Sequence, residues 1–158
     1  MEPQRDEDRV DLVQGLAEDQ IDRLLRGLVP YMVPGGAAFI KEGDFNDSMI
    51  LLLEGTVRVV SHAGTPAEVL VVRRSAGQLF GEVNFVTGGS RSASVIAEGD
   101  VLLLEFSKDR VMAIMDADPV LARKLAWNLA RIMAERLRNA TMQFWDVQST
   151  QDLTVLAF

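Results

Sequence analysis

The chain has 158 residues, of which 48% are hydrophobic, a formal net charge of −7 and no cysteine. The length suits one domain with a buried core. The negative charge argues against nucleic acid or an anionic membrane as a partner, and the lack of cysteine excludes disulfides, thiolate catalysis and zinc–sulfur sites. The start is charged and no apolar run approaches the ~18 residues that span a bilayer, so we expect a soluble cytoplasmic protein.

The first 17 residues are predicted to be a polar lead into a short helix over Glu18–Leu28. Apolar residues recur there at helical spacing: Ile21, Leu24, Leu25 and Leu28. Prolines and glycines at positions 30–36 then end the helical pattern.

Short β-like segments separated by turns follow the helix. They are predicted at 39–41, 48–53, 56–60, 68–72, 95–97 and 101–106. Gly43 and Gly55 lie in the turns, where hairpins require a positive φ. Strands at this even spacing predict a mainly β domain over residues 18–117, with flanking helices and an eight-stranded β jelly roll.

A glycine-rich segment in the middle of this domain places one carboxylate and one arginine nine residues apart. Phe80-Gly81-Glu82 opens a helical turn, and the corner that follows leads to Arg91. Arginine can grip two phosphate oxygens with its planar fork of donors. Glu82 would repel a phosphate, so we expect it to accept a hydrogen bond from a neighbouring sugar hydroxyl and to orient Arg91. The alternative is an ordinary surface ion pair, which would stabilise little.

The hydrophobic period then changes to that of a helix. Asp118 and Pro119 are typical of a helix start, and residues 118–145 carry an apolar stripe over roughly seven turns. One small domain cannot bury such a helix, so we expect a homodimer seam; the alternatives are a helix that caps its own domain or docks on a missing partner. In the tail, residues 146–158, the apolar run Leu153–Phe158 predicts a short strand or a segment that packs across a dimer. The alternative is that the native chain continues beyond this point.

Catalysis is not indicated. His62 is the one histidine, it lies in a glycine- and proline-containing loop, and we expect it to be solvated. One histidine cannot form a metal site alone, and no serine carries a nucleophile-elbow motif. Asp116 and Asp118 are explained by their place at a helix start. We therefore expect neither an enzyme nor a metal site.

The segment from Phe80 to Val95 resembles the phosphate-binding cassette of the cyclic nucleotide-binding domain family. The matching residues are Phe80-Gly81-Glu82 and Arg91-Ser92-Ala93-Ser94-Val95, within a resemblance that spans about residues 28–138. It implies that Glu82 takes the ribose 2′-hydroxyl, that Arg91 takes the cyclic phosphate, and that the long helix acts as a lid and dimer contact. The ligand-binding residues are then Phe80, Gly81, Glu82, Val83, Arg91, Ser92 and Ala93.

Two hypotheses follow from this resemblance. The first is a regulatory sensor that binds cAMP or cGMP, with cAMP favoured by prevalence, and signals through the C-terminal helix. The second is a degenerate domain kept for dimerisation or docking. Asn84 motivates it, because the family usually has a small apolar residue at this position. Ser90 is a second difference, since the family often has a proline before the arginine. No helix-turn-helix follows the long helix, so direct binding to nucleic acid is not expected.

Overall fold

The computed structural model describes residues 12–156, with side chains as far as residue 148. The elements in chain order are α1 (Glu18–Leu25), β1 (Tyr31–Val33), β2 (Ala38–Ile40), β3 (Met49–Ser61), β4 (Val69–Ser75), β5 (Leu79–Phe80), α2 (Glu82–Thr87), β6 (Ser94–Phe106), α3 (Lys108–Ala117) and α4 (Pro119–Leu156). Most of the predicted polar lead, residues 1–11, lies outside the described part. Residues 12–17 lie inside it, and Leu12 is buried in the core.

The strands form one antiparallel sheet in the order β1-β6-β3-β4, with β2 added on β6 and β5 on β3. The two long strands β3 and β6 pair along most of their lengths and form its centre. The mainly β architecture with flanking helices is therefore confirmed. The predicted count of eight strands is wrong for the described residues, which contain six, and the jelly-roll arrangement stays a prediction.

Two predicted pairs of strands are continuous in the structure, whereas β1 and β5 were not among the predicted segments. β3 runs through Glu54 and Gly55, where a hairpin was expected, and shifts register against β6 at this point. Gly55 has a φ of +99°, and a Cβ there would lie 2.8 Å from Cγ1 of Val101. Glycine thus permits a bulge and a close approach of two strands, which in sequence looks like a turn. β6 likewise joins the segments predicted at 95–97 and 101–106.

Alternation along the long strands divides the buried side chains between two clusters. One lies between the sheet and the helices, and its members include Leu24, Met49, Phe85, Phe106, Leu121, Leu125, Leu129 and Ile132. The other lies on the opposite face of the strands, and its members include Ile40, Ile50, Leu52, Val57, Phe80, Val95 and Leu103. The segment that carries Glu82 and Arg91 joins the two clusters, because Phe80 belongs to one and Phe85 to the other.

The helices differ from prediction mainly at their ends. α1 stops at Leu25 rather than Leu28, and α3 was not predicted. α4 begins at Pro119 as predicted, but it continues to Leu156, past the expected end at residue 145. The short strand predicted over 153–158 is therefore wrong as far as the described residues extend. No glycine or proline follows Pro119, so the sequence contains no strong signal to end the helix. Across residues 12–156, none of the helices combines the length and hydropathy that a bilayer crossing requires.

Candidate functional site

The candidate site begins at Gly81, between β5 and α2. This residue has a φ of +80° and precedes the first residue of the helix, Glu82. A Cβ at position 81 would lie 2.6 Å from the carbonyl oxygen of Ser48 and would also collide with the guanidinium of Arg91. Both the left-handed backbone and the close approach therefore require glycine. The predicted helical turn after Gly81 is confirmed.

Arg91 is buried, with 4% of its surface exposed. Its Nη2 donates to the carbonyl oxygen of Ser48 at 2.8 Å, and its Nη1 donates to that of Gly81 at 3.4 Å. Burial lowers the pKa of Arg91, while the surrounding carboxylates, led by Asp47 and Glu105, act in the opposite direction. Arginine remains charged in proteins, so the site contains a fixed cation held by neutral backbone groups.

The backbone of Arg91 is fixed as well as its side chain. The amide of Arg91 donates to the carbonyl oxygen of Asp44 at 2.8 Å, and its own carbonyl accepts from the amide of Gly43 at 2.8 Å. Gly43 has a φ of +87° and lies in a turn, as predicted. The role of this turn in the site was not predicted, because the two segments lie far apart in sequence.

Glu82 is also buried, with 5% of its surface exposed. Among the described residues, its carboxylate pairs with Arg136 of α4 and not with Arg91. Nη1 of Arg136 donates to Oε1 of Glu82, while Nη2 donates to the carbonyl oxygen of Leu79. The expectation that Glu82 orients Arg91 is thus not met in this structure: backbone carbonyls perform that role. The long helix instead reaches the site through one arginine.

All seven residues predicted for the site line one cavity of about 190 Å³. The sheet, α2 and α4 add further lining residues: Ile40, Val59, Val72, Arg74, Asn84, Val95 and Arg136. The apolar members lie on strands and could be assigned to a cavity only once strand register was known. Arg136 was one of several arginines in the range 131–138, and only the rotation of α4 distinguishes it.

Asn84 is buried, and its amide is directed at the loop that precedes Arg91. Its Nδ2 lies 2.8 Å from the carbonyl oxygen of Ser90 and 3.2 Å from that of Gly89, with a longer contact of 3.5 Å to Gly88. Asn84 and Ser90 are the two departures from the cassette pattern, and the Asn84 amide donates to the backbone carbonyl oxygen of Ser90. The asparagine thus braces the corner before Arg91.

The residues considered for catalysis lie apart from the cavity. His62 is exposed in its loop, as predicted, with its amide donating to Glu42 at 2.7 Å. Oδ1 of Asp118 accepts from the amides of Val120 and Leu121 at 3.1 and 3.0 Å, which is the helix-start role expected for it. Within the described range, no group of three or more histidine, cysteine, aspartate or glutamate side chains could hold a metal ion.

The class of this protein follows from its fold and its site together. The fold is a sheet with flanking helices, and the site combines a turn that begins at a glycine with a buried arginine and a buried carboxylate. The family model for the cyclic nucleotide-binding domain matches residues 32–118. The chain belongs to the cyclic nucleotide-binding domain family, which is a regulatory family.

Known relatives agree with this assignment. The chain is 32% identical over 133 residues to the cyclic AMP receptor protein of Thermus thermophilus, covering 84% of this chain and 59% of that protein. It is 37% identical over 97 residues to the cAMP-dependent protein kinase type II regulatory subunit of Drosophila melanogaster, covering 61% of this chain and 26% of that one. The chain thus spans less than two thirds of either relative.

A solved structure extends the similarity to the fold. The crystal structure of the Thermus thermophilus catabolite activator protein matches with a TM-score of 0.72 at 32% identity, covering 87% of this chain and 62% of that one. The similarity in fold therefore extends over most of this chain.

Proposed function

We propose that this domain is a regulatory sensor that binds a cyclic nucleotide monophosphate. The observation that carries the proposal is a buried cation and a buried hydrogen-bond acceptor in one cavity, Arg91 and Glu82. A cyclic nucleotide needs both, because it combines an anionic phosphate with a ribose hydroxyl. The remaining ligand-binding residues are Phe80, Gly81, Val83, Ser92 and Ala93.

Each part of the ligand has a matching group in this proposal. Arg91 takes the cyclic phosphate, and the small side chains of Ser92 and Ala93 allow it to approach the backbone. Glu82 accepts from the ribose 2′-hydroxyl. The base lies toward the apolar strand residues and α4. cAMP is favoured over cGMP, in keeping with the names of the Thermus and Drosophila relatives; Ser92 is compatible with either base.

Signalling through the C-terminal helix is part of the same proposal. Arg136 links α4 to Glu82 and to the end of β5. A ligand that engages Glu82 therefore acts on the group that holds the helix. Changes at the cassette pass to α4 by this direct contact, without a longer chain of intermediates.

Isothermal titration calorimetry with cAMP and cGMP, on the wild-type protein and Arg91→Ala, tests the proposal. We expect wild-type binding and a loss of about 2–5 kcal/mol in the variant, because a buried phosphate would lose its charge partner. Arg73→Ala is the matched control, since it removes an arginine on β4 that pairs with Glu98 outside the cavity. Equal affinities for wild type and Arg91→Ala would refute the assignment of Arg91.

A second candidate is a dimerisation or interaction module that binds no nucleotide. It is favoured by α4, where Trp127, Leu137, Phe144 and Trp145 are each more than half exposed. Apolar side chains of this size along one helix suit a contact with the same helix of a second copy. The pairing of Glu82 with Arg136 is also compatible with a site that has no ligand.

The oligomeric state and its response to ligand separate the two candidates. We propose a homodimer through α4 and expect Leu137→Glu to shift the mass measured by light scattering toward the monomer. Arg138→Glu places the same side chain one position further along the helix and should leave the dimer intact. A dimer that binds neither cAMP nor cGMP would favour the interaction module, whereas a ligand-dependent change in α4 would favour the sensor.

A further inference from the structure

Arg91 also lines a second cavity, which measures about 170 Å³. The other residues around this cavity include Tyr31, Lys41, Asp44 and Glu105, and none of these four lines the first cavity. Arg91 therefore has one side toward the proposed nucleotide site and another toward a separate group of polar residues. Groups on that second side can act on Arg91 without touching a ligand.

Ser48 connects Arg91 to one of these groups. It is buried, with 5% of its surface exposed, and directly precedes β3. Its carbonyl oxygen accepts from Nη2 of Arg91 at 2.8 Å, and its amide donates to Oδ1 of Asn46 at 2.9 Å. Its hydroxyl donates to Oε1 of Glu105 at 2.7 Å. Two contacts that do not involve Arg91 thus fix the residue whose carbonyl holds Arg91.

The position of Ser48 also matters for the wall of the cassette. Its carbonyl oxygen approaches Gly81 so closely that an added Cβ would lie only 2.6 Å away. A shift of Ser48 would therefore move the partner of Arg91 and disturb the packing at Gly81 together. A hydrogen bond to a carboxylate is stronger than one between neutral groups, so Glu105 supplies the stronger of the two side-chain restraints on Ser48.

Glu105 itself lies on the outside of the domain. It is exposed, near the end of β6, and it is paired in register with Ile50 of β3. Burial lowers the pKa of Arg91, and Glu105 is among the carboxylates that act in the opposite direction. Its negative charge would by itself oppose a phosphate at Arg91. The charge of Glu105 and its hydrogen bond to Ser48 therefore have opposite effects on the affinity for a nucleotide.

We propose that Glu105 is a positioning residue for Arg91 and acts through Ser48. Glu105 holds the hydroxyl of Ser48, the carbonyl of Ser48 holds the guanidinium, and the guanidinium takes the phosphate. This inference rests on the proposed function and adds to it a residue outside the nucleotide cavity that sets the affinity. The preformed position of the cation then depends on a carboxylate at the surface of the sheet.

Four variants separate the hydrogen bond from the charge. Ser48→Ala and Glu105→Ala break the bond, whereas Ser48→Thr keeps the donor and Glu105→Gln keeps an acceptor without the charge. Calorimetry with cAMP should show about fivefold weaker binding for the two alanine variants, which corresponds to one hydrogen bond. The other two should bind at least as tightly as wild type. The double alanine variant should bind no more weakly than either single one, because both remove the same bond.

Nuclear magnetic resonance of the Arg91 guanidinium tests the positioning without nucleotide. A guanidinium held by Ser48 rotates slowly, so its Nη protons should give separate signals, which Arg91→Lys identifies by their loss. These signals should broaden in Ser48→Ala and Glu105→Ala and return in the two conservative variants. Ser107→Ala is the control, because Ser107 is exposed and its side chain does not cap α3. Chemical denaturation checks that each variant is folded.

The outcomes separate the positioning from the proposed function. If wild type binds cAMP and Glu105→Ala binds as tightly as Glu105→Gln, the positioning is refuted and the sensor stands. Weaker binding by Ser48→Ala with unchanged Arg91 signals would also refute it, because the guanidinium would still be held. If wild type binds no nucleotide, the proposed function fails and so does the claim about affinity. Broadened Arg91 signals in the alanine variants would then still support the contact through Ser48, and unchanged signals would refute it.

Discussion

Arg91 and Glu82 line the same cavity, but the groups that hold them come from different parts of the chain. Arg91 is fixed by backbone carbonyls of Ser48 and Gly81, inside the sheet and its cassette. Glu82 is paired with a side chain of α4. The cation is therefore preformed by the fold of the domain body, whereas the acceptor depends on the position of a helix. The position of Arg91 can therefore stay constant while the surroundings of Glu82 change with the position of α4.

The substitution expected to disturb the preformed position of Arg91 most strongly is Gly81→Ala. The left-handed backbone and the collisions with Ser48 and Arg91 act together, so we expect a loss of about 3 kcal/mol in the free energy of unfolding. Chemical denaturation measures this loss. Gly64→Ala is the control, because Gly64 has a φ of +72° but nothing within 4 Å of a Cβ.

The control should lose only about 1 kcal/mol, which is the strain of the left-handed backbone alone. The difference between the two variants then measures the close approach at the cassette. Similar losses in both would mean that the backbone at Ser48 and the Arg91 side chain move aside easily, and the cation would not be preformed.

A milder change at the same end is Asn84→Ala. It removes the donor to the carbonyl oxygens of Gly89 and Ser90, so the corner before Arg91 should loosen. We expect a loss of about 1 kcal/mol in stability and a weaker affinity for nucleotide. Thermal unfolding and calorimetry measure the two effects. Thr87→Ala, which removes an exposed hydroxyl from the same helix, should change neither appreciably.

If Asn84→Ala instead bound nucleotide more tightly, its amide would be an obstacle in the cavity. That result would support the interpretation of Asn84 as a sign of degeneration. The hydrogen bonds to the loop argue for a brace.

Local patterns predicted the parts of the fold that depend on neighbouring residues. The turn at Gly81, the turn at Gly43 and the start of α4 at Pro119 all follow from short-range preferences. Gly55 shows the limit of such reasoning, because a bulge and a hairpin use the same residue type. β1 and β5 are only three and two residues long, too short to give a periodic signal.

The residues of the candidate site differ in the same way in whether they could be predicted from sequence. The cassette residues form a contiguous motif, so they could be identified from sequence. Arg136 could not, because its role depends on where a long helix crosses the cassette. The hydrogen bond from the Asn84 amide to the backbone carbonyl of Ser90 was missed for a related reason: it can be identified only once the conformation of the loop is known.

The smallest predicted effect concerns the base of α4, which sets where Arg136 is presented. Asp118 accepts from the amide of Leu121, and its Oδ2 lies 2.8 Å from Arg23. The backbone hydrogen bond, followed by Arg23, lowers the pKa of Asp118 below its ordinary value of 3.8. A lowered pKa means that the stabilisation is present above pH 3.8 and is lost as the pH falls through the lower folded-state value.

Asp118→Asn keeps the capping oxygen but removes the charge, so it should lower the melting temperature slightly at pH 7. The difference from wild type should shrink at pH values below 3.8, because the wild-type carboxyl then takes up a proton and loses the same interaction. Asp116→Asn makes the same charge change at an exposed position two residues earlier and should follow wild type more closely at every pH. A constant difference between Asp118→Asn and wild type across the titration would assign the effect to packing, and the base of α4 would then be held independently of charge.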